Sequence, residues 1–299
     1  MSKTIGFLGP QGTFGEEAAI LYKRNTVRVP YPSHEEVIQA VFNRRVEQGV
    51  VARENSIGGS VDETVDALIH GPIGITMTLA PNGQSVRVHP NELMVCGEVQ
   101  LSIVQCLYLK PGVARHEVEV VYSHAQGLTQ CRNFLRKEFP NAKLAPQVST
   151  VAGVQAMLQS EVPAAAIAPR RAKDYYPVHL AENGIEDNHA NKTRFLVIGR
   201  YDDLDIVGCK TSICFMVPGD EKPGSFDRVS QLFAIGGVNK LLIESRAAKT
   251  ELGKYVFLMD IDGQRQDKVI LRILELLVIA GLTTTLKVLG SYHKWRNGE

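Results

Sequence analysis

Apolar residues recur along this 299-residue chain in two alternating rhythms. Residues 5–8 and 49–52 are short apolar runs, the mark of strands buried on both faces. Residues 14–22, 35–45 and 61–70 instead repeat apolar positions at helical spacing, with Val37, Val41 and Phe42 on one side. Strand and helix taking turns predict a mostly parallel sheet with helices on both faces. Residues 80–98 break the rhythm with Pro81, Asn82, Gly83 and Pro90, and are expected to be loop. A long strand is expected over 99–109. The alternation then resumes: a strand at 118–122, a helix around Leu128, Cys131 and Leu135, and a strand around Leu144. A helix at 151–158 and a strand at 164–168 follow. This reads as a second α/β lobe inserted into the first, with a strand at 195–198 returning to lobe one. Open α/β sheets bind ligands in a crevice beyond the carboxyl ends of their strands.

Residues 200–209 are polar, with Asp202, Asp203 and Asp205, and suit a linker. The pattern after them is strand 211–217, helix 226–234, strands 238–245 and 255–261, helix 268–280 and strand 284–289. That βαββαβ order is the ferredoxin-like plan. Val269, Ile273, Leu276 and Ala280 give its second helix a one-sided core face.

Composition narrows the function. Hydrophobic residues make up 44%, enough for a sizeable core. Basic and acidic residues number 33 and 32, a net charge of +1, without the basic excess of a nucleic-acid surface. The five cysteines, Cys96, Cys106, Cys131, Cys209 and Cys214, are odd in number and lack CxxC spacing. That is reduced, cytoplasmic usage. No apolar stretch nears the ~20 residues needed to cross a bilayer, and no signal-peptide core precedes the first strand. Neither nucleic acid nor membrane is expected as a partner. No Cys/His/Asp set has metal-ligand spacing, and no Gly-x-Ser-x-Gly elbow is present. No cofactor or metal is expected.

Candidate chemistry gathers where apolar runs meet polar segments. Asn191-Lys192-Thr193-Arg194-Phe195 places a hydroxyl and a guanidinium at the mouth of an apolar strand. Gly9 to Phe14, Glu54-Asn55-Ser56 and Ser123 to Gln130 each follow an apolar run and offer neutral hydrogen-bonding groups. The set points to a site for a small polar anion with a hydroxyl as working group. Thr13, Ser33, Ser60 and Ser123 each precede Glu or Gln by three residues, the capping-box pattern. At Ser33 the box reads as an ordinary helix start. At the other three, free N–H groups and the helix dipole favour a carboxylate. The Gly9–Gly12 loop matches neither GxGxxG nor a Walker loop; alone, it serves equally as a turn. Glu54-Asn55-Ser56 alone reads as a polar turn, and Cys131 as helix core.

Gly9-Pro10-Gln11-Gly12-Thr13-Phe14, Glu54-Asn55-Ser56, Ser123-His124-Ala125-Gln126 with Gln130-Cys131, and Thr193-Arg194-Phe195 resemble the motifs of prephenate dehydratases, in order and at fitting separations. Gly237-Val238-Asn239, Ile243-Glu244-Ser245-Arg246 and Val288-Leu289-Gly290-Ser291-Tyr292 are similar to that family's ACT regulatory domain. The resemblance implies a two-lobed catalytic domain of the type II periplasmic-binding-protein-like kind over 1–200. Lobe one would be 1–79 with 180–200, and lobe two 80–179. A linker at 201–209 would lead to an α+β ACT domain over 210–299. It implies decarboxylating dehydration of prephenate to phenylpyruvate, in phenylalanine biosynthesis, with L-phenylalanine as effector of a homodimer or homotetramer. A chain opening on the dehydratase loop is expected to carry no fused chorismate mutase.

By the same resemblance Thr193 donates to the leaving hydroxyl. Asn55, Ser123 and Gln130 orient the ring, and Glu54 tunes the electrostatics. Thr13, Gly12, Ser56, Ser60, Gln126, Arg194 and Phe195 bind substrate, Arg194 through its fork geometry. Gly224, Ser225, Asn239, Glu244, Ser245 and Arg246 hold the effector. Several positions depart from the family pattern. Ala52-Arg53 replaces Pro-Ile, and Arg53 is expected to be solvated. Ala125 replaces a proline. Gly224-Ser225-Phe226-Asp227 replaces Gly-Ala-Leu-Val, and Ala247 follows Glu-Ser-Arg in place of proline. The last two leave effector identity and affinity open. Two rivals stand beside this reading: an arogenate dehydratase, and a catalytically silent amino-acid-binding sensor, since two lobes around a cleft also build solute-binding proteins.

Overall fold

The computed structural model describes residues 3–202, 208–219, 223–249 and 253–295. The expected linker falls largely on 203–207, Asp203 and Asp205 included, outside the described residues. The chain groups into two compact units. One comprises Met1–Ala40, Gly49–Val61 and Val99–Phe195; the other Val41–Gln48, Asp62–Glu98 and Leu196–Glu299.

In chain order the elements begin β1 (Thr4–Leu8), α1 (Phe14–Tyr22), β2 (Val27–Tyr31), α2 (His34–Phe42), β3 (Gln48–Asn55), β4 (Gly59–Ser60) and α3 (Asp62–His70). Next come β5 (Ile75–Leu79), β6 (Val86–Pro90), β7 (Met94–Ser102), β8 (Gln105–Leu109), β9 (Val120–His124), α4 (Ala125–Gln130) and α5 (Arg132–Glu138). Then follow β10 (Lys143–Gln147), α6 (Thr150–Gln159), β11 (Ala164–Pro169), a 3-10 turn (Arg170–Asp174), β12 (His179–Asn183) and β13 (Lys192–Gly199). The last are β14 (Cys209–Met216), α7 (Ser225–Ile235), β15 (Lys240–Ala247), β16 (Tyr255–Asp262), α8 (Lys268–Ile279) and β17 (Thr285–His293).

Three sheets result. The first runs β2-β1-β3-β13-β7, with β4 added to β3, and β1 lies parallel to β2. The second runs β10-β9-β11-β8-β12. There β9 is parallel to β10 and β11, while β8 is antiparallel to β11 and β12. All six residues of β11, Ala-Ala-Ala-Ile-Ala-Pro, are buried. Ile167 packs with Leu107, Val121 and Leu128 on one face; Ala166 packs with Tyr108, Val154 and Met157 on the other. Helix α6 passes so close behind β9 that a Cβ on Gly153 would meet Ser123 Cα at 2.9 Å. Only glycine tolerates that approach, and it fixes the strand end from which α4 starts.

The third sheet is antiparallel throughout, in the order β15-β16-β14-β17-β5-β6. Its first four strands with α7 and α8 form the expected ferredoxin-like plan around Ile213, Phe215, Met259, Ile273 and Leu277. The added hairpin β5–β6 overturns the loop expected at 80–98, and Met77 joins the same core. Val86 and Val88 alternate with Arg87 and His89, so a strand signal existed but was short and hidden among Pro and Asn. Pro90 is tolerated because β6 is a sheet edge. The strand expected over 99–109 divides at Ile103-Val104 into β7, in the first sheet, and β8, in the second. Of the lobe boundaries, 79/80 falls between β5 and its partner β6, and 180 falls within β12, which pairs with β8 in the second sheet.

Within the second unit Lys287 is buried on β17, and its ammonium donates to the carbonyls of Leu68, Ile69 and Gly71 at 3.0, 3.0 and 2.8 Å. These carbonyls end α3, where a helix has unpaired acceptors and the negative end of its dipole. Burial pulls the Lys287 pKa below its usual value. Lys287→Met should leave these acceptors without their cation and destabilise the fold by about 2–4 kcal/mol, read from urea denaturation. A loss near zero would remove the cap's importance. In the first unit, burial pushes the Glu17 carboxyl from an ordinary 4.5 up to about 7, against the pull of Arg171. The folded state therefore holds this proton more tightly than the unfolded chain does. Stability is lost as pH rises from 4.5 toward 7, and the penalty is complete above that. Glu17→Gln should melt with wild type at pH 4 and above it at pH 8; equal melting at both would disprove the burial cost.

Candidate active site

Asn55 ends β3, and Thr193 is the second residue of β13. Both are 8% exposed. The Asn55 carbonyl oxygen accepts from the backbone N–H groups of Ile57 and Gly58 at 3.1 and 2.8 Å. Those two donors settle which way the amide faces, because a nitrogen there would meet hydrogens. Its nitrogen then donates to Asn191 Oδ1 at 2.7 Å, Thr193 Oγ1 at 2.9 Å and Lys192 O at 3.2 Å. The Thr193 hydroxyl thus receives a hydrogen bond from Asn55 and keeps its own proton to give. It has no other protein partner among the described residues.

The second sheet supplies the facing groups. Helix α4 is capped by His124, whose Nδ1 accepts from Gln126 N at 3.3 Å. Gln126 Nε2 reaches Asn55 Oδ1 at 3.4 Å. A Cβ on Gly58 would lie 2.4 Å from that Nε2, so glycine leaves the Gln126 amide room to reach Asn55. Gln130 closes α4, and its Oε1 accepts from Gln105 Nε2 at 3.0 Å. The Gln130 side-chain nitrogen is left with no protein partner among the described residues. Ser123, expected to orient the ring, is fully buried and donates to Ile167 O at 2.7 Å. Its reach ends at the backbone, so it shapes the strand end and does not face a ligand.

The remaining residues are committed to the protein itself. Thr13 Oγ1 donates to Leu8 O at 2.9 Å and makes no capping bond to α1. Gly12 N–H donates to Glu16 Oε2 at 2.7 Å. Glu16 is 1% exposed and also receives the Tyr175 phenol at 2.5 Å, with Arg28 and Arg171 at 3.6 and 4.0 Å. The start of α1, expected to hold a substrate anion, therefore already holds a carboxylate of the protein. Burial and the bond to Glu16 raise the Tyr175 pKa, so the phenol keeps its proton. Ser60 lies in β4 and accepts from Arg53 at 3.2 Å; it does not cap α3. Arg53, expected in solvent, is 3% exposed, because its strand runs through the sheet. Ser33 does cap, accepting from Glu36 N at 3.0 Å. Ser56 Oγ accepts from Lys192 N at 3.0 Å, tying the two strand ends together.

Arg194 pairs with Glu54 at 3.2 Å. Successive strand residues point to opposite faces, so this ion pair lies across the strands from Asn55 and Thr193. Phe195 is buried core. The thiols of Cys106 and Cys131 are pushed up by burial, Cys106 to about 11, and neither is a nucleophile near neutrality. Asn191 and Gln105 escaped the sequence reading. Asn191 opens the segment that carries Thr193 but was given no role of its own; Gln105 is a polar residue in an apolar run, the one signal that could have flagged it.

In the second unit, Gly224 precedes α7 with φ of 83°, and Ser225 donates to Gly219 O at 2.6 Å. Asn239 lies beyond the other end of α7, in a cavity of about 320 Å³ with Gly237, Asp262 and Asp267. Helix α7 has 11 residues, roughly 16 Å of length. One chain therefore does not bring Gly224 and Asn239 to one ligand. Glu244, Ser245 and Arg246 lie on β15, where Arg246 pairs with Asp62 at 2.6 Å.

The sequence profile of the family described as prephenate dehydratase matches residues 5–203. A bifunctional chorismate mutase/prephenate dehydratase of Stutzerimonas stutzeri is 33% identical over 291 residues, covering 97% of this chain and 73% of its own. The crystal structure of a prephenate dehydratase from Arthrobacter aurescens in complex with L-Phe has a TM-score of 0.83 at 29% identity, over 97% of this chain and 90% of its own. A quorum-quenching acylase superposes with a TM-score of 0.79 at 21% identity, over 98% of each chain, and shares the fold alone. Motifs, fold and profile agree: the chain belongs to the prephenate dehydratase family.

Proposed function

We propose that the chain converts prephenate to phenylpyruvate, with Thr193 as hydrogen-bond donor to the departing ring hydroxyl. The observation that carries this is the Asn55 N–H aimed at Thr193 Oγ1 at 2.9 Å. In the reaction the bond from ring to carboxylate breaks and carbon dioxide leaves. Its electron pair moves through the ring and expels hydroxide, which takes a proton to become water. The ring becomes aromatic, so the driving force is in the substrate. What the protein supplies is orientation and a donor where negative charge grows on oxygen. A threonine hydroxyl is too weak an acid to give up its proton outright. It stabilises the departing oxygen and relays to water, and a donor behind it polarises the O–H.

Gln130, held by Gln105 with its N–H groups unengaged, is assigned to the substrate, as is Gln126. Asn55 and Ser123 hold the frame. Glu54 and Arg194 act from the far side of the strands, and Ser56, Ser60, Gly12 and Thr13 by shaping the strand ends. We place catalysis in 1–200 and regulation in 210–299. The thiol content suits the cytoplasm. Thr193→Ala should lower kcat by about 10²–10⁴-fold with the melting temperature unchanged, assayed by phenylpyruvate absorbance. Near-normal turnover would take the role from Thr193.

For regulation we propose that L-phenylalanine binds between two copies of the 210–299 unit. The α7 start of one copy would complement the Asn239 loop of the other, making the protein at least a dimer. The separation of Gly224 from Asn239 within one chain supports a two-chain pocket. Saturating phenylalanine should shift kcat/KM for prephenate by about 5- to 150-fold and leave light scattering at dimer mass or above. Unchanged rates at millimolar phenylalanine would end this proposal without touching catalysis.

A further inference from the structure

We infer that Asn191 is a positioning residue for the dehydration, acting through Asn55; this rests on the reading of Thr193 given above. Asn191 is 1% exposed. Its Oδ1 accepts from Asn55 Nδ2 at 2.7 Å and from Ser56 Oγ at 3.4 Å. Its backbone is held on both sides: its N–H donates to Asn188 O at 3.2 Å, and its carbonyl accepts from Ile103 N at 2.9 Å. The side chain therefore offers Asn55 an acceptor that cannot drift.

An amide nitrogen has two hydrogens. At Asn55 the shortest contact, 2.7 Å, goes to Asn191, which directs the second hydrogen toward Thr193 Oγ1 at 2.9 Å and Lys192 O at 3.2 Å. Without the Asn191 oxygen the amide can turn and give its better hydrogen to the Lys192 carbonyl. The Thr193 hydroxyl then loses the donor that orients it. Fold stability does not account for this side chain. Among the described residues the Asn191 nitrogen is buried and has no hydrogen-bond partner, a cost that an apolar residue of similar volume avoids. What only the amide provides is a directed acceptor next to the reacting hydroxyl.

The test uses the full chain, with prephenate turnover and thermal melting of wild type, Asn191→Leu, Asn191→Asp, Asn55→Ala and the Asn55→Ala/Asn191→Leu double variant. Asn191→Leu should melt at or above wild type and lose about 10- to 100-fold in kcat, as misdirection near a reacting group does, with KM within about threefold. The double variant should match Asn55→Ala alone, because both changes cut the same path. Asn191→Asp keeps an oxygen that accepts from Asn55 and should recover at least about tenfold of the kcat that Asn191→Leu loses. A folded Asn191→Leu within twofold of wild type, losses that multiply in the double variant, or an Asn191→Asp as slow as Asn191→Leu would each overturn the inference. If Asn191→Leu does not fold, the kcat of Asn191→Asp against Asn55→Ala decides: a loss as large as that of Asn55→Ala overturns it. Wild type inactive on prephenate would instead remove the underlying reading, and this inference with it.

Discussion

The site depends on one amide whose direction is not free. Asn55 accepts two backbone N–H groups on one side and gives its hydrogens to Asn191, Thr193 and Lys192 on the other. An amide satisfied in this way cannot flip without leaving several buried groups unpaired, each a loss comparable to a hydrogen bond. Its orientation passes to the Thr193 hydroxyl, which is left as a donor. Preorganisation of this kind is what neutral groups can offer a reaction that expels an anion, because the donor needs no rearrangement when charge appears.

That amide serves chemistry only because segments of the first and second sheets meet around it. Two glycines lie at the meeting. A Cβ on Gly58 would push the Gln126 amide aside, and a Cβ on Gly12 would come within 3.3 Å of Ala172 Cα at a φ of 87°. Beside Gly12, the Glu16 carboxylate gathers the Tyr175 phenol and the Gly12 N–H. The loop that the family resemblance marks as ligand-binding is here a latch between the first helix and the turn after β11. It ties α1 to the turn after β11 by protein–protein bonds within the first unit and leaves less of itself for a substrate.

The second unit uses buried charge differently. Lys210 pairs with Glu98 at 2.6 Å and lies 3.7 Å from Asp260, which accepts from Ser212 at 2.5 Å. Removing one partner from such a cluster leaves an uncompensated charge. Lys287 does for the end of α3 what a capping residue would do, from a strand more than 200 residues away. Both arrangements tie the ferredoxin-like sheet to segments that precede it in the chain, β7 and α3.

From residue pattern alone came the α/β class, the ferredoxin-like βαββαβ order and the motif-bearing segments, because periodicity and glycine or proline punctuation are local. The pairing of Asn55 with Thr193 was legible only as two motifs. Their 2.9 Å contact needed β3 and β13 to lie in one sheet. The roles expected of Ser123, Thr13 and Arg194 came from the family resemblance. Tertiary structure turned each inward, to Ile167, Leu8 and Glu54; for the two strand residues, Ser123 and Arg194, a strand's alternation decides which side chains face a cleft and which face its floor. Asn191 and Gln105 became visible only when folded, because an amide that holds another amide carries no signature along the chain. The hairpin at 75–90 was missed for a related reason: short strands are stabilised by the partners they find, here β17 for β5 and β5 for the edge strand β6, and not by their own propensity. Residue chemistry and spacing thus determined what kind of site this chain could build. The packing of distant strands decided which hydroxyl was left with a proton to give.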